Sequence, residues 1–206
     1  MKKVLILSGP THEYFDPVRF IGNASSGKMG KALAEEALKR GIDVDFISGP
    51  VPEANLPDLE SPITRVTGAE EMLAAAQAKF PEADIIIFAA AVADFQPLEK
   101  SAEKFPKIGN NISIELKPTP DIAATLCANK REDQVAVGFA LQTHDGEAKA
   151  REKLAKKNLN GIVLNTPATL GAEHGLFTWI DTQTLENWGA ISKAGCAGKI
   201  FDRIAG

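Results

Sequence analysis

Short apolar runs rich in β-branched residues alternate along the chain with longer stretches of helical period, the pattern of strands separated by helices. Lys3 to Ser8, Val44 to Ser48, Ile63 to Val66, Asp84 to Ala90, Ile112 to Leu116, Val135 to Phe139 and Gly161 to Leu164 read as strands. Ile85, Ile86, Ile87 and Phe88 are apolar without alternation, so both faces of that strand should be covered, as in a parallel sheet between helical layers. Start and stop signals mark the helices. Ser25 and Ser26 can cap one that runs to Arg40 and stops at Gly41. A second is predicted from Ala69 to Lys79, a third after Pro120 with Asp121 in its first turn, and a fourth from Gly146 to Lys157 before Asn158. Phe177 to Ile180 and Thr184 to Trp188 flank Asp181-Thr182-Gln183 and predict an antiparallel hairpin, followed by a terminal helix from Ser192. The expected fold is a single domain over residues 1–206, a doubly wound, mostly parallel α/β sheet with a C-terminal antiparallel hairpin. Gly9 to Ala24 and Pro97 to Asn111 are long and weakly periodic, and such loops in a compact domain tend to carry function.

Composition narrows the function classes. The 206 residues are 44% hydrophobic, enough for a sizeable core. With 23 Lys and Arg against 27 Asp and Glu, no basic excess points to a nucleic-acid backbone. No apolar run reaches the ~18 residues of a membrane span, and Lys2-Lys3 before Val4 to Leu7 reads as a first strand instead of a signal peptide. A cytoplasmic protein without membrane partners is expected. Cys127 and Cys196 have neither disulfide-framework nor zinc spacing and read as buried thiols. His12, His144 and His174 lack ligand spacing, so no metal held by the protein alone is expected.

Ligands of open α/β sheets bind beyond the carboxyl ends of the strands, which sets Gly9-Pro10-Thr11 at the ligand edge. Ser25-Ser26-Gly27-Lys28-Met29-Gly30 brings hydroxyls, a cation and glycines to a helix start, as an anion site requires. It is neither GxGxxG nor GxxxxGK[ST], and a well-capped helix accounts for it equally. Arg19 offers a guanidinium fork and Asn23 an amide that donates and accepts; a loop braced by Arg19 and Asp16 is the simpler alternative. Ala89, Ala90 and Ala91, followed by Asp94, leave backbone open to a planar ring, or pack closely against a helix. Lys104 and Lys107 lie on a loop suited to closing over a polyphosphate, or to solvent alone. Lys153 and Lys157 share a helix face and can reach one anion, or form a solvated face. Phe139 fits a core position unless its strand end meets the ligand. No nucleophile elbow or catalytic triad is present.

Taken together, Gly9-Pro10-Thr11, Asp16-Pro17-Val18-Arg19-Phe20-Ile21, Asn23, Ser25 to Gly30, Ser48 to Val51, Ala90 to Phe95, Glu103-Lys104, Pro120-Asp121-Ile122 and Val137-Gly138-Phe139 resemble the phosphopantothenate–cysteine ligases, also called phosphopantothenoylcysteine synthetases, of coenzyme A biosynthesis. The match runs in order from Lys3 to Asn165. The resemblance implies a Rossmann-like synthetase domain that activates 4′-phosphopantothenate as an acyl nucleotidylate with CTP in bacterial members, releases pyrophosphate, and transfers the acyl group to L-cysteine. It implies Mg²⁺ with the nucleotide, a homodimer and a possible separate decarboxylase chain; since the sequence opens on the synthetase's first strand, no FMN and no decarboxylase activity are expected, and the exposed-strand pattern of the hairpin makes its edge the expected dimer contact. By this resemblance the nucleotide takes Ala89, Ala90, Ala91, Asp94, Pro120, Asp121, Ile122, Ala123 and Phe139, with Lys104, Lys153 and Lys157 on the triphosphate. Asn23 handles the acyl-nucleotide, Arg19 positions the acyl substrate, and Ser25, Ser26, Gly27 and Lys28 form the substrate-phosphate site at the helix start. Three positions depart from the family pattern: Leu141-Gln142 stands where Ala-Glu is common, Thr119 replaces Asn before Pro120-Asp121, and Lys104-Phe105-Pro106-Lys107 carries fewer lysines. These leave two other readings open, a nucleotide-binding or regulatory module without turnover, and an NAD(P)-dependent oxidoreductase. The missing GxGxxG counts against the latter.

Overall fold

The computed structural model describes residues 2–107, 109, 111–141, 146–166, 169 and 171–204. Gln142, Thr143 and His144 lie outside the described residues. In chain order the elements are β1 (Lys3–Ser8), β2 (His12–Asp16), β3 (Arg19–Gly22), α1 (Lys28–Lys39), β4 (Asp43–Ser48), β5 (Thr64–Arg65), α2 (Ala69–Lys79), β6 (Ile85–Phe88), β7 (Phe95–Pro97), β8 (Leu116–Pro118), α3 (Ile122–Cys127), β9 (Val135–Leu141), α4 (Gly146–Lys156), β10 (Gly161–Asn165), β11 (His174–Ile180), β12 (Leu185–Ser192) and α5 (Lys193–Ile204).

Eight strands form the main sheet in the order β12-β11-β10-β9-β6-β1-β4-β5. All pairings from β5 to β10 are parallel, and β11 and β12 extend the sheet antiparallel. Side chains of a strand alternate between faces, and here both faces are covered. Val4, Ile6, Ile85 and Ile87 pack with Leu33 and Ala37 of α1 and Ile200 and Phe201 of α5. Leu5, Leu7 and Ile86 meet Met72 and Ala76 of α2 and Ile122 and Leu126 of α3. Ala136 and Ile162 pack on Ala150 and Leu154 of α4. The doubly wound reading and the C-terminal hairpin are therefore both present. Among the described residues no helix is long and apolar enough to cross a membrane.

Three local expectations are corrected. Gly9 to Ala24 is not all loop, since β2 and β3 pair as an antiparallel hairpin. Its turn is set by Asp16, whose Oδ1 accepts the backbone N–H groups of Val18 and Arg19 at 2.9 Å each, a local side-chain bond that hydrophobic period does not reveal. The strand predicted over Ile112 to Leu116 is paired only at Leu116–Pro118, which joins β7 in a separate two-stranded sheet. Ser25 and Ser26 do not cap α1. The N-cap is Gly27 in the left-handed region, φ 76°, with no side-chain cap bond, a conformation that glycine adopts without penalty. Gly30 serves packing, because a Cβ there would lie 2.0 Å from Ser8 Oγ; its absence lets α1 sit directly on β1.

Candidate functional site

Winding reverses between β1 and β6. Connections from β1 run outward through β4 to β5, and those from β6 run the other way through β9 and β10. The crevice beyond the carboxyl ends of the two central strands is where such sheets hold ligands. Here Ala89 N–H donates to Leu7 O, Ala91 N–H to Gly9 O, and Thr11 N–H to Ala91 O, so Gly9 to Thr11 and Ala89 to Ala91 run side by side past the end of the sheet.

A cavity of about 640 Å³ opens there. It is lined by Asn23, the alanine stretch Ala90 to Ala93, Asp94, Pro120 to Ala123, Phe139, Lys153 and Lys157. The fold thus brings together residues from five separated segments that the sequence offered singly. Thr11 and Thr119 fix the floor. The buried Thr11 Oγ1 accepts the Ala93 N–H at 3.0 Å, while Thr119 donates its hydroxyl to Ala93 O and its N–H to Asp94 O. The departure at Thr119 is therefore a backbone staple at the cavity wall.

Asp121 is the N-cap of α3, accepting Ala124 N–H at 3.1 Å, and it pairs with Lys157 Nζ at 3.0 Å. Burial pushes its carboxyl up, but the Ala124 N–H and the Lys157 ammonium outweigh that and hold it below the usual carboxylate range. Asn23 Nδ2 donates to Val92 O at 2.9 Å, tying the end of the β2–β3 hairpin region to the alanine stretch. Phe139 is half buried and lines this cavity as well as a second one, so its strand end does meet the crevice.

The second cavity, about 160 Å³, adjoins the first, sharing Ala90, Ala91 and Phe139 and adding Ala89. Ser25, Ser26, Gly27 and Lys28 line it at the start of α1, together with Thr169 and Lys193. Because no side chain caps α1, the first-turn N–H groups remain available there, and the helix dipole favours an anion.

Arg19 and Lys104 line neither cavity. The Arg19 guanidinium pairs with Asp16 Oδ2 at 2.9 Å and donates to Phe105 O at 3.2 Å. Asp16 also accepts the Phe105 N–H at 3.2 Å, and Ser101 N–H donates to Phe15 O. The lysine-bearing loop is thus fastened to the hairpin, and the bracing alternative for Arg19 describes this geometry. Lys104 itself is exposed. Among the described residues no three His, Cys, Asp or Glu side chains converge as a metal ion would need. Lys193 and Thr169 carried no motif signal, since a lysine opening an amphipathic helix is common on structural grounds alone; Thr11 was marked only as part of Gly9-Pro10-Thr11 at the ligand edge, without its clamp on Ala93.

With this geometry in hand, the whole length, residues 1–206, matches the family model described as DNA/pantothenate metabolism flavoprotein C-terminal domain. The chain belongs to that family. A coenzyme A biosynthesis bifunctional protein CoaBC of Bacillus subtilis (strain 168) is 44% identical over 181 residues, 88% of this chain and 44% of that protein. A cysteine/cysteine sulfinic acid decarboxylase of an unknown prokaryotic organism is 46% identical over 175 residues, 84% of this chain and 48% of that protein. The chain therefore spans about half the length of the curated relatives it matches. Among solved structures, the C-terminal domain of a CoaBC protein superposes with TM-score 0.83 at 36% identity, covering 98% of this chain and 93% of that one. A Cab2 H337A mutant in complex with phosphopantothenate-cysteine superposes with TM-score 0.75 at 18% identity over 99% of this chain and 85% of that one, a likeness of fold. This family member thus has the Rossmann-like domain that the sequence resemblance implied.

Proposed function

We propose that this domain is a phosphopantothenate–cysteine ligase that uses CTP. The observation that carries the reading is the cavity at the switch point, where Asn23, Asp94, Asp121, Lys153 and Lys157 surround a strand end of alanines. The similarity along nearly the full length to the C-terminal domain of a CoaBC protein supports it.

The cytosine ring lies against Ala89 to Ala91 with Asp94, the turn from Pro120 to Ala123 and Phe139 beside it. Lys153 and Lys157 neutralise the triphosphate. The substrate phosphate takes Ser25, Ser26, Gly27 and Lys28. A carboxylate oxygen of 4′-phosphopantothenate attacks the α-phosphorus, the bond to the β-phosphate bridging oxygen breaks, and pyrophosphate leaves with its electron pair. The cysteine amine then attacks the acyl carbon, CMP departs, and the amine proton passes to solvent. Neither step needs a strong protein base; both need negative charge to be balanced as it moves. Asn23, a neutral donor and acceptor at the cavity wall, suits the acyl-nucleotide. Asp121 is already engaged by Lys157 and a helix N–H, which fits a Mg²⁺ carried mainly by triphosphate oxygens and supplying charge neutralisation. Lys104 reaches the triphosphate only if its loop leaves the hairpin, and Arg19, which holds that loop through Phe105 O, positions the acyl substrate from the same place. Association of two copies along β12, the outermost strand, belongs to the same reading; a single species of monomer mass in light scattering removes it.

The test is pyrophosphate release with 4′-phosphopantothenate and Mg²⁺, run with CTP and with ATP, with and without cysteine. Release that requires 4′-phosphopantothenate and prefers CTP supports the ligase. Binding of CTP without release turns the reading to a nucleotide-binding module.

A further inference from the structure

Lys28, which lines the cavity at the start of α1, is already paired with an anion of the protein's own that lies outside the lining. Lys28 extends from the first turn of α1 and pairs with the Glu173 carboxylate, 145 positions away in the chain. Glu173 belongs to the stretch before β11, and that stretch is held from beneath by Lys193. The Lys193 side chain is buried, 7% exposed, and its ammonium donates to Thr169 O at 3.0 Å and to Ala172 O. Its backbone N–H donates to Glu173 O at 3.0 Å. Thr169 is also buried, 3% exposed, and its hydroxyl has no hydrogen-bond partner among the described residues although the residue lines the cavity. A buried hydroxyl and a buried ammonium beside an uncapped helix start suit a polar, anionic guest.

We propose that Glu173 is a built-in carboxylate competitor for this phosphate site, seated on Lys28 by Lys193 and displaced when a phosphate group enters. The inference rests on the assignment of Ser25 to Lys28 to a substrate phosphate. The pair is well exposed on the Glu173 side, 68% of its side chain, and such exposed ion pairs are weak and readily exchanged. A phosphate monoester carries up to two charges and more acceptor oxygens than a carboxylate, and it gains the α1 N–H groups that Glu173 does not engage, so the exchange favours phosphate over simple carboxylates. Glu173 thereby lowers the affinity for every anion by the same factor, which leaves weakly bound carboxylates largely unbound at concentrations where phosphate still binds. Lys193 is a positioning residue in this scheme, because it sets where the Glu173 backbone sits.

Glu173→Gln tests the exchange, since the side chain is exposed and the fold does not depend on it. The KM for 4′-phosphopantothenate is expected to fall about twofold to fivefold with kcat within twofold. Inorganic phosphate, followed by the shift of the Lys28 amide in NMR, should bind more tightly by the same factor. The gain should vanish in the Lys28→Met background. An unchanged or raised phosphate affinity constant for dissociation in Glu173→Gln overturns the proposal, and so does a gain that persists without Lys28, which would be general charge repulsion. The phosphate titration needs no turnover. A protein that binds phosphate with this pattern but releases no pyrophosphate retains the competitor and loses the ligase reading, whereas turnover with no effect at Glu173 does the reverse.

Discussion

Replacing Thr11 by Val removes one hydroxyl and keeps the shape of the side chain. Thr11 is fully buried, and its Oγ1 is the acceptor for the N–H of Ala93, itself 2% exposed. Valine leaves that N–H without a partner and without access to water, which costs about 1 to 3 kcal/mol. For a domain of this size each kcal/mol lowers Tm by about 2 to 4 °C, so a loss near 2 kcal/mol should appear as a drop of about 4 to 8 °C. Thr119→Val removes the donor to Ala93 O from the other side. Thr119 is only partly buried, and water can take its place, so about 1 kcal/mol is expected. Both threonines clamp the same turn, and contacts that share a partner are not independent. The double variant should therefore lose less than the sum of the two. Because Asp94 follows directly on that turn, nucleotide KM should rise in Thr11→Val at temperatures where the protein remains folded. The assay is thermal unfolding followed by circular dichroism, with CTP titration on the folded protein. A Thr11→Val protein that melts within about 1 °C of wild type would show that the Ala93 N–H finds another partner, and the clamp would have to be abandoned.

Asn23→Asp should release pyrophosphate at close to the wild-type rate yet form little ligated product, because a carboxylate repels the acyl-nucleotide it has to hold; full product at the wild-type rate contradicts that role. Lys157→Met should raise CTP KM about tenfold and let the Asp121 carboxyl titrate higher, since the ammonium is one of the groups that hold it low; an unmoved Asp121 in carbon-detected NMR would deny the coupling. Burial pushes the thiols of Cys127 and Cys196 up to about 11 and about 12, so neither should react with a thiol reagent such as DTNB at pH 8 until the protein is unfolded. At Asp181 burial pushes the carboxyl up, but the Trp179 indole N–H, the Thr184 hydroxyl and the backbone N–H groups of Gln183 and Thr184 outweigh it and bring it to about 2 from an ordinary 3.8. A depressed carboxylate stabilises the fold above the unfolded value and loses that stabilisation as pH falls through the folded one. After discounting for partial exposure, about 1 to 2 kcal/mol should therefore disappear between pH 4 and pH 2 in wild type and be missing already at pH 7 in Asp181→Asn; denaturant unfolding at pH 7 and pH 3 measures the difference.

What was legible in the sequence was whatever a local pattern determines. Ile85 to Phe88 could only be a strand covered on both sides, and alternating faces follow once Val4 and Ile6 go to α1 and α5 while Leu5 and Leu7 go to α2 and α3. Strand order then places a crevice between β1 and β6, and the segments that reach it, Gly9 to Thr11, Ala89 to Asp94 and Pro120 to Ala123, are the ones that composition and family resemblance single out. Errors arose where a side chain binds backbone a few residues away, or where glycine takes the place of a capping side chain. Asp16 makes a hairpin out of a segment whose period is poor, and Gly27 replaces the serines as N-cap. That second error bears on chemistry, because serines not spent on capping and helix N–H groups left uncapped are what an anion needs. The Arg19, Lys28 and Lys193 contacts lay beyond any reading by spacing: their partners at Phe105, Glu173, Thr169 and Ala172 come from other segments of the chain. A lysine four residues from another announces a shared face, as Lys153 and Lys157 did, but no period announces a carboxylate from 145 positions away. The division has a physical origin. Ligand-edge backbone is fixed by the sheet, and so by pattern, while the pairing of the charges around it is set by tertiary contacts between loops, which is why spacing points to Lys28, Lys153 and Lys157 but not to the Glu173 and Asp121 carboxylates that hold two of them.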